Sequence, residues 1–146
     1  MADQRRPTLR AMSEAAPDAE RPAESTLAAG IEQVEEFMVE GRLLTDVGGS
    51  IGSAVLSTPA MIAMMERCSS ILSLKHLPVG KATVGFEVCI KHVAAALEGS
   101  ECRVRSELRE VADGRKLRFD VEVTEGERTI GIGTHERRVI DVGQLG

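Results

Sequence analysis

Ser57-Thr58-Pro59-Ala60-Met61-Ile62-Ala63-Met64-Met65-Glu66-Arg67-Cys68 is the stretch on which the fold turns. Thr-Pro reads as a helix start, with threonine capping the first free backbone N–H groups and proline fitting the first turn. The apolar, methionine-rich run that follows predicts one long helix from Thr58 to about Leu74. Between Asp46 and Lys75 the only charges are Glu66 and Arg67, both inside this helix. A carboxylate among apolar side chains needs a partner or a raised pKa. Glu66 is therefore either a site residue or a wet helix-edge residue paired with Arg67 or Lys75. Met61, Met64 and Met65 read as core packing.

Outward from the helix the pattern changes to period two. Upstream, Ile31 to Glu40 ends in Phe37-Met38-Val39 and predicts a first strand. Asp46 to Ser53, with Gly48, Gly49 and Gly52, predicts a loop, and it lacks the spacing and lysine of a phosphate loop. Downstream, Leu77-Pro78-Val79-Gly80 stops the helix, and four strands follow. Thr83 to His92 alternates, with Val84, Phe86, Val88 and Ile90 on one face. Glu101 to Val111 is the next strand, and Asp113-Gly114 is a hairpin turn. Leu117, Phe119, Val121 and Val123 share a face, Glu125-Gly126 turns again, and Thr129 to Val139 closes the set with Ile130 and Ile132 inward. One apolar helix against an antiparallel meander is an α+β domain, because the meander cannot bury its apolar face alone.

Composition bounds the function. A chain of 146 residues is expected to form one folded domain. Residues 27–146 carry the pattern, and residues 1–26, rich in Ala, Pro, Glu and Arg, predict a disordered tail. A net charge of −5 disfavours a phosphate-backbone binder, and three phenylalanines with no Trp or Tyr disfavour base stacking, so no nucleic-acid partner is expected. No run is long and apolar enough for a membrane helix. Cys68, Cys89 and Cys102 lack zinc or disulfide spacing and, with no signal-peptide pattern at the start, predict a reduced, cytoplasmic protein without a metal site.

The residues carry a more specific likeness. Leu56-Ser57-Thr58-Pro59-Ala60-Met61-Ile62, Met65-Glu66-Arg67, Thr83-Val84-Gly85, His92-Val93-Ala94-Ala95 and Gly133-Thr134-His135-Glu136-Arg137 together resemble the fluoroacetyl-CoA thioesterase family of hotdog proteins. The resemblance spans roughly Glu32 to Asp141. It implies the hotdog fold, an antiparallel sheet wrapped around one long central helix, and acyl-CoA thioester hydrolysis in a homodimer. It implies no metal or redox cofactor, coenzyme A being part of the substrate. The family's catalytic threonine, glutamate and histidine fall on Thr58, Glu66 and His92, its glycine beside the thioester carbonyl on Gly85, and a substrate-binding role on Arg137.

The chemistry agrees with that trio. Thioester hydrolysis needs an attacking oxygen, a proton shuttle and donors for the oxyanion. His92 continues the strand face expected to meet the helix, where a neutral imidazole can take a proton. Glu66 can orient that ring or attack the carbonyl, and Thr58 can donate a hydrogen bond or act as nucleophile. Each has a structural alternative: Thr58 as a plain cap, His92 as a strand-end histidine. His76 reads as a solvated helix-end residue, and His135, out of phase with Ile130 and Ile132, as facing the other side of the sheet. The loop at Asp46 to Ser53 holds no aromatic to gate a small halogenated acyl group, which leaves the acyl group open. A binding module without turnover is the alternative function. A hydratase would need a histidine–aspartate pair that the strands do not show.

Overall fold

The computed structural model describes residues 18–145. Seven strands and one long helix follow in the order β1 (Glu32–Met38), β2 (Leu44–Thr45), β3 (Val55–Leu56), α1 (Thr58–Lys75), β4 (Lys81–His92), β5 (Glu101–Ala112), β6 (Lys116–Glu125) and β7 (Arg128–Asp141). The long strands form one antiparallel sheet in the order β1-β5-β6-β7-β4, so β1 and β4 are its edges. The sheet wraps α1, the hotdog architecture. Met61, Met64, Met65, Cys68 and Leu72, spaced three and four apart, form the buried stripe of the helix. They pack on Val104, Leu108, Phe119, Val121 and Val123 of the sheet. The methionines are core, as expected.

The helix begins one residue differently from the sequence expectation. Ser57, not Thr58, is the cap: its hydroxyl accepts from the Ala60 N–H at 3.1 Å. Thr58 is the first helical residue, and its hydroxyl is free for another partner.

Two bulges reset the strand alternation on either side of the helix start. In β4, Phe86 is an extra residue between the pairs Gly85↔Arg137 and Glu87↔Glu136. Residues opposite one another in a ladder project to the same face. Gly85, Val88, Ile90 and His92 therefore lie on the helix side with Arg137, His135, Gly133 and Gly131. Val84 and Phe86 do not share that face. They lie outside, where the Arg138 guanidinium stacks 3.8 Å from the Phe86 ring centre and Phe86 is 62% exposed. In β7, Ile130 is the extra residue opposite β6, so Ile130 and Gly131 are both buried. The phase then reverses: Ile132 is exposed, and His135 and Arg137 are buried. The expected inward Ile132 and outward His135 are thus exchanged. A period-two count cannot see an inserted residue.

The first part of the chain also departs from expectation. Arg21 falls in the stretch whose composition predicted a tail, yet its guanidinium donates to the carbonyls of Leu77 (3.0 Å), Pro78 (2.7 Å) and Lys81 (2.7 Å). The Thr26 N–H donates to the His76 carbonyl at 2.9 Å, and the Thr26 hydroxyl meets His76 Nδ1 at 2.8 Å. Residues 18–26 thereby brace the end of α1 and the turn after it. Residues 1–17 of that expectation lie outside the described residues.

Candidate active site

β3 feeds straight into α1 and hydrogen-bonds to the chain leaving β4: the Leu56 N–H donates to the Ala96 carbonyl at 2.8 Å, and Val55 bridges Leu97. The Val93 N–H is held by the Ile130 carbonyl of the β7 bulge at 2.8 Å. The end of β4 is therefore folded across the helix start. This brings His92 to Thr58, with Thr58 Oγ1 2.8 Å from His92 Nδ1.

His92 Nε2 is buried and has no hydrogen-bond partner. Where Nδ1 accepts from the Thr58 hydroxyl, Nε2 carries a hydrogen with no acceptor; where Nδ1 donates, Nε2 is an acceptor with no donor. Most buried side-chain nitrogens are paired, so this one calls for a functional account. The pair opens on a cleft of about 380 Å³ that also runs along Val47, Val55, Val93 and Ala95. That volume lies within the range of small-molecule sites.

Glu66 lies eight residues further along α1, about 12 Å at the rise of an α-helix. One chain therefore brings Thr58 and His92 together and holds Glu66 apart from them. The expected helix-edge partners are occupied elsewhere: Lys75 reaches Gln33 and Arg67 reaches the Met64 sulfur. The partner of Glu66 is Arg137, at 3.9 Å. Arg137 is 6% exposed and donates to the Thr83 hydroxyl (2.8 Å) and carbonyl (3.0 Å). Burial pulls its pKa below the ordinary arginine value and Glu66 opposes this; the guanidinium stays charged. Glu66 and Arg137 line a second cleft of about 350 Å³ with Ala63, Arg67, Ser70 and Ile71.

His135 completes the second cluster, and its alternating phase hid it from sequence reading. Its Nδ1 donates to the Glu87 carbonyl at the β4 bulge (2.8 Å), and its Nε2 accepts from Arg137 at 3.2 Å. It stacks on Phe119, with 6.2 Å between ring centres. Burial pushes its pKa down, so the ring is held neutral. Gly85 keeps this corner open, because a Cβ there would sit 3.1 Å from Glu66 Oε2 and 3.7 Å from both Arg137 and His135. Two of the cysteines are buried thiols: burial pushes Cys68 up to about 12 and Cys102 up to about 11, so neither supplies a thiolate near neutral pH.

A central helix in a curled antiparallel sheet defines a hotdog protein. A protein described only as hot-dog-like, from Thermanaerovibrio acidaminovorans, shares the fold at a TM-score of 0.73 and 19% identity, over 80% of this chain and 86% of its own. The family model of fluoroacetyl-CoA-specific thioesterases (FlK) matches residues 39–143, more than two thirds of the chain, and the chain belongs to that family. The fluoroacetyl-CoA thioesterase of Streptantibioticus cattleyicolor is 37% identical over 86 residues, 59% of this chain. The aligned part spans 61% of that relative's length. A solved structure of fluoroacetyl-CoA thioesterase superposes at a TM-score of 0.74 and 28% identity, over 83% of this chain and 93% of that one. A phenylalanine-to-alanine variant of that enzyme, solved with fluoroacetate and CoA, matches at 0.74 and 27%, over 82% of this chain and all of its own.

Proposed function

We propose that the protein hydrolyses acyl-CoA thioesters, with Thr58, His92 and Glu66 as its reacting groups. One observation carries the reading: a histidine bonded to a threonine hydroxyl at 2.8 Å, with its other nitrogen buried and unpaired, beside a cleft. Membership of the thioesterase family supports it. The attacking oxygen belongs to Thr58 or to Glu66. Thr58 attacks as its hydroxyl passes its proton to His92, and the imidazolium returns that proton to the coenzyme A thiolate as the C–S bond breaks; the Glu66 carboxylate attacks with no proton to lose, and the thiolate is then protonated by water. Either route leaves an acyl group on the enzyme, and a water deprotonated by His92 breaks that bond, releases the acid and restores the side chain. A single turnover in ¹⁸O-water separates them: label in the Glu66 carboxylate marks attack by Glu66, and an acyl group on Thr58 marks attack by the hydroxyl. Gly85 and Arg137 contribute on the Glu66 side, where the open corner admits the thioester carbonyl and the guanidinium holds the carboxylate.

We further infer a cytoplasmic homodimer joined at β4. This twelve-residue edge strand exposes Val84, Phe86 and Val88. A long apolar edge is a pairing surface. The separation of Glu66 from Thr58 within one chain favours a shared site, with Thr58 and His92 from one chain facing Glu66 of the partner subunit.

Release of free thiol from a series of acyl-CoA substrates tests the activity. His92→Ala should lower kcat by about 10²-fold or more in a folded protein. An unchanged kcat would remove His92 from the reaction. Tight acyl-CoA binding with no thiol release from the parent would make the protein a binding module.

A further inference from the structure

The cleft beside Thr58 and His92 has a wall that the hydrolytic reading does not use. Leu56, almost wholly buried, forms its floor, and Val55, Val93, Ala94 and Ala95 continue it. Val47 closes the remaining side from the loop between β2 and β3. Apart from Thr45, Ser57, Thr58 and His92, the side chains that line this cleft are aliphatic. Phe37 is buried in the core and Phe86 stacks under Arg138 on the outer face of the sheet, so neither phenylalanine near in sequence reaches it.

Val47 is unusual in two independent respects. Its φ is +53°, the left-handed region that β-branched residues avoid, although glycines stand at 48 and 49. Its side chain is 56% exposed. The loop fixes it there: the Val47 N–H donates to Thr45 Oγ1 at 3.1 Å, and the Ser50 hydroxyl donates to the Val47 carbonyl at 2.7 Å. An isopropyl group held in a strained backbone and left in water on the rim of a cleft gains nothing until an apolar ligand covers it.

We propose that this cleft is an aliphatic acyl subsite walled by Val47, which selects short saturated acyl thioesters by the apolar area they bury and not by a fluorine substituent. The proposal rests on the hydrolytic reading for its substrate class. A carbon–fluorine bond would need a polar neighbour free to meet it. The hydroxyls of the cleft are engaged, Thr45 by the Val47 N–H, Ser57 by the Ala60 N–H and Thr58 by His92, and the wall of Val47, Val55, Leu56, Val93, Ala94 and Ala95 offers aliphatic carbon. Each methylene covered there should tighten binding about fourfold.

The test uses non-hydrolysable S-alkyl-CoA thioethers, from ethyl to butyl, with the full chain in calorimetry. The parent Kd should fall about fourfold per methylene, and the 2-fluoroethyl thioether should bind within about twofold of the ethyl one. Val47→Gly should flatten the series to less than twofold per methylene, and Val47→Ala should fall between. Val47→Gly should melt no lower than the parent, because glycine adopts this φ without strain. A flat parent series, an unaltered slope in Val47→Gly, or tenfold preference for the fluoroethyl thioether would each overturn the subsite. Thiol release is read separately. A sloped Kd series with no hydrolysis of any acyl-CoA would overturn the hydrolase reading and keep the subsite; hydrolysis with a flat series would do the reverse.

Discussion

His135 donates to the Glu87 carbonyl, accepts from Arg137 and stacks on Phe119, so all of its bonding capacity is used. His92 uses one nitrogen on Thr58 and leaves the other buried and unpaired. The same imidazole serves packing in one place and carries the proposed proton transfer in the other. Two outcomes follow at this scale. Burial lowers the His135 pKa, so the unfolded chain takes up its proton first as pH falls. The stability held in the neutral ring is complete above the ordinary value of about 6.5 and is lost as pH falls from there through the lowered value. His135→Asn should therefore cost about 1–3 kcal/mol at pH 8, and the gap in Tm from the parent should narrow towards pH 5. Glu66→Gln removes the carboxylate beside buried Arg137. Because Glu66 is 41% exposed, solvent screening limits the stability loss to roughly 1 kcal/mol or less. Thiol release should collapse while acyl-CoA binding persists; equal kcat in variant and parent would take Glu66 out of the reaction.

Elements meet at positions that no single element defines. Gly131 lies opposite His92 beneath the helix start, and a Cβ there would overlap the Met61 sulfur. Gly131→Ala should lower stability by about 1–3 kcal/mol, the usual cost of overfilling a packed core, and should shift the Thr58–His92 pair, lowering kcat beyond what the melting curve accounts for. At the other end of α1, Arg21 donates to three carbonyls, of which that of Pro78 also accepts from the Lys81 N–H. Arg21→Ala should cost about 1–3 kcal/mol in urea unfolding without changing the chain-length series, since part-buried acceptors lose a charged donor far from the cleft. A truncation ending at residue 25 should carry the same penalty. Unchanged Tm in both would show that the brace contributes nothing.

At the scale of the whole molecule, the proposed homodimer would cover the β4 edge and bring the Thr58–His92 cluster of one chain to the Glu66–Arg137 cluster of its partner. Sedimentation at micromolar concentration should give a dimer. Phe86→Glu places charge on the exposed outer face of β4 and should shift the equilibrium towards monomer, with thiol release falling in proportion to the monomer fraction. A monomeric parent that still hydrolyses thioesters would refute the shared site.

Much of the fold and the family was legible from residue type and order. Thr-Pro before the methionine run marked the helix start to within one residue, and the alternating segments after Gly80 gave the four long strands. Five short segments in a fixed order pointed to the family that the comparisons bear out. Those features are local, set by capping, turn chemistry and side-chain period. Tertiary structure alone decided which side of the sheet each strand residue faces, because one inserted residue at Phe86 and one at Ile130 reverse every side chain beyond them. It also decided that Ser57 caps the helix, which frees Thr58 for His92, a partner 34 residues away. It buried Arg137 and His135 beside Glu66, a charge pairing that no spacing along the chain could have announced, since the three side chains meet only in the folded sheet.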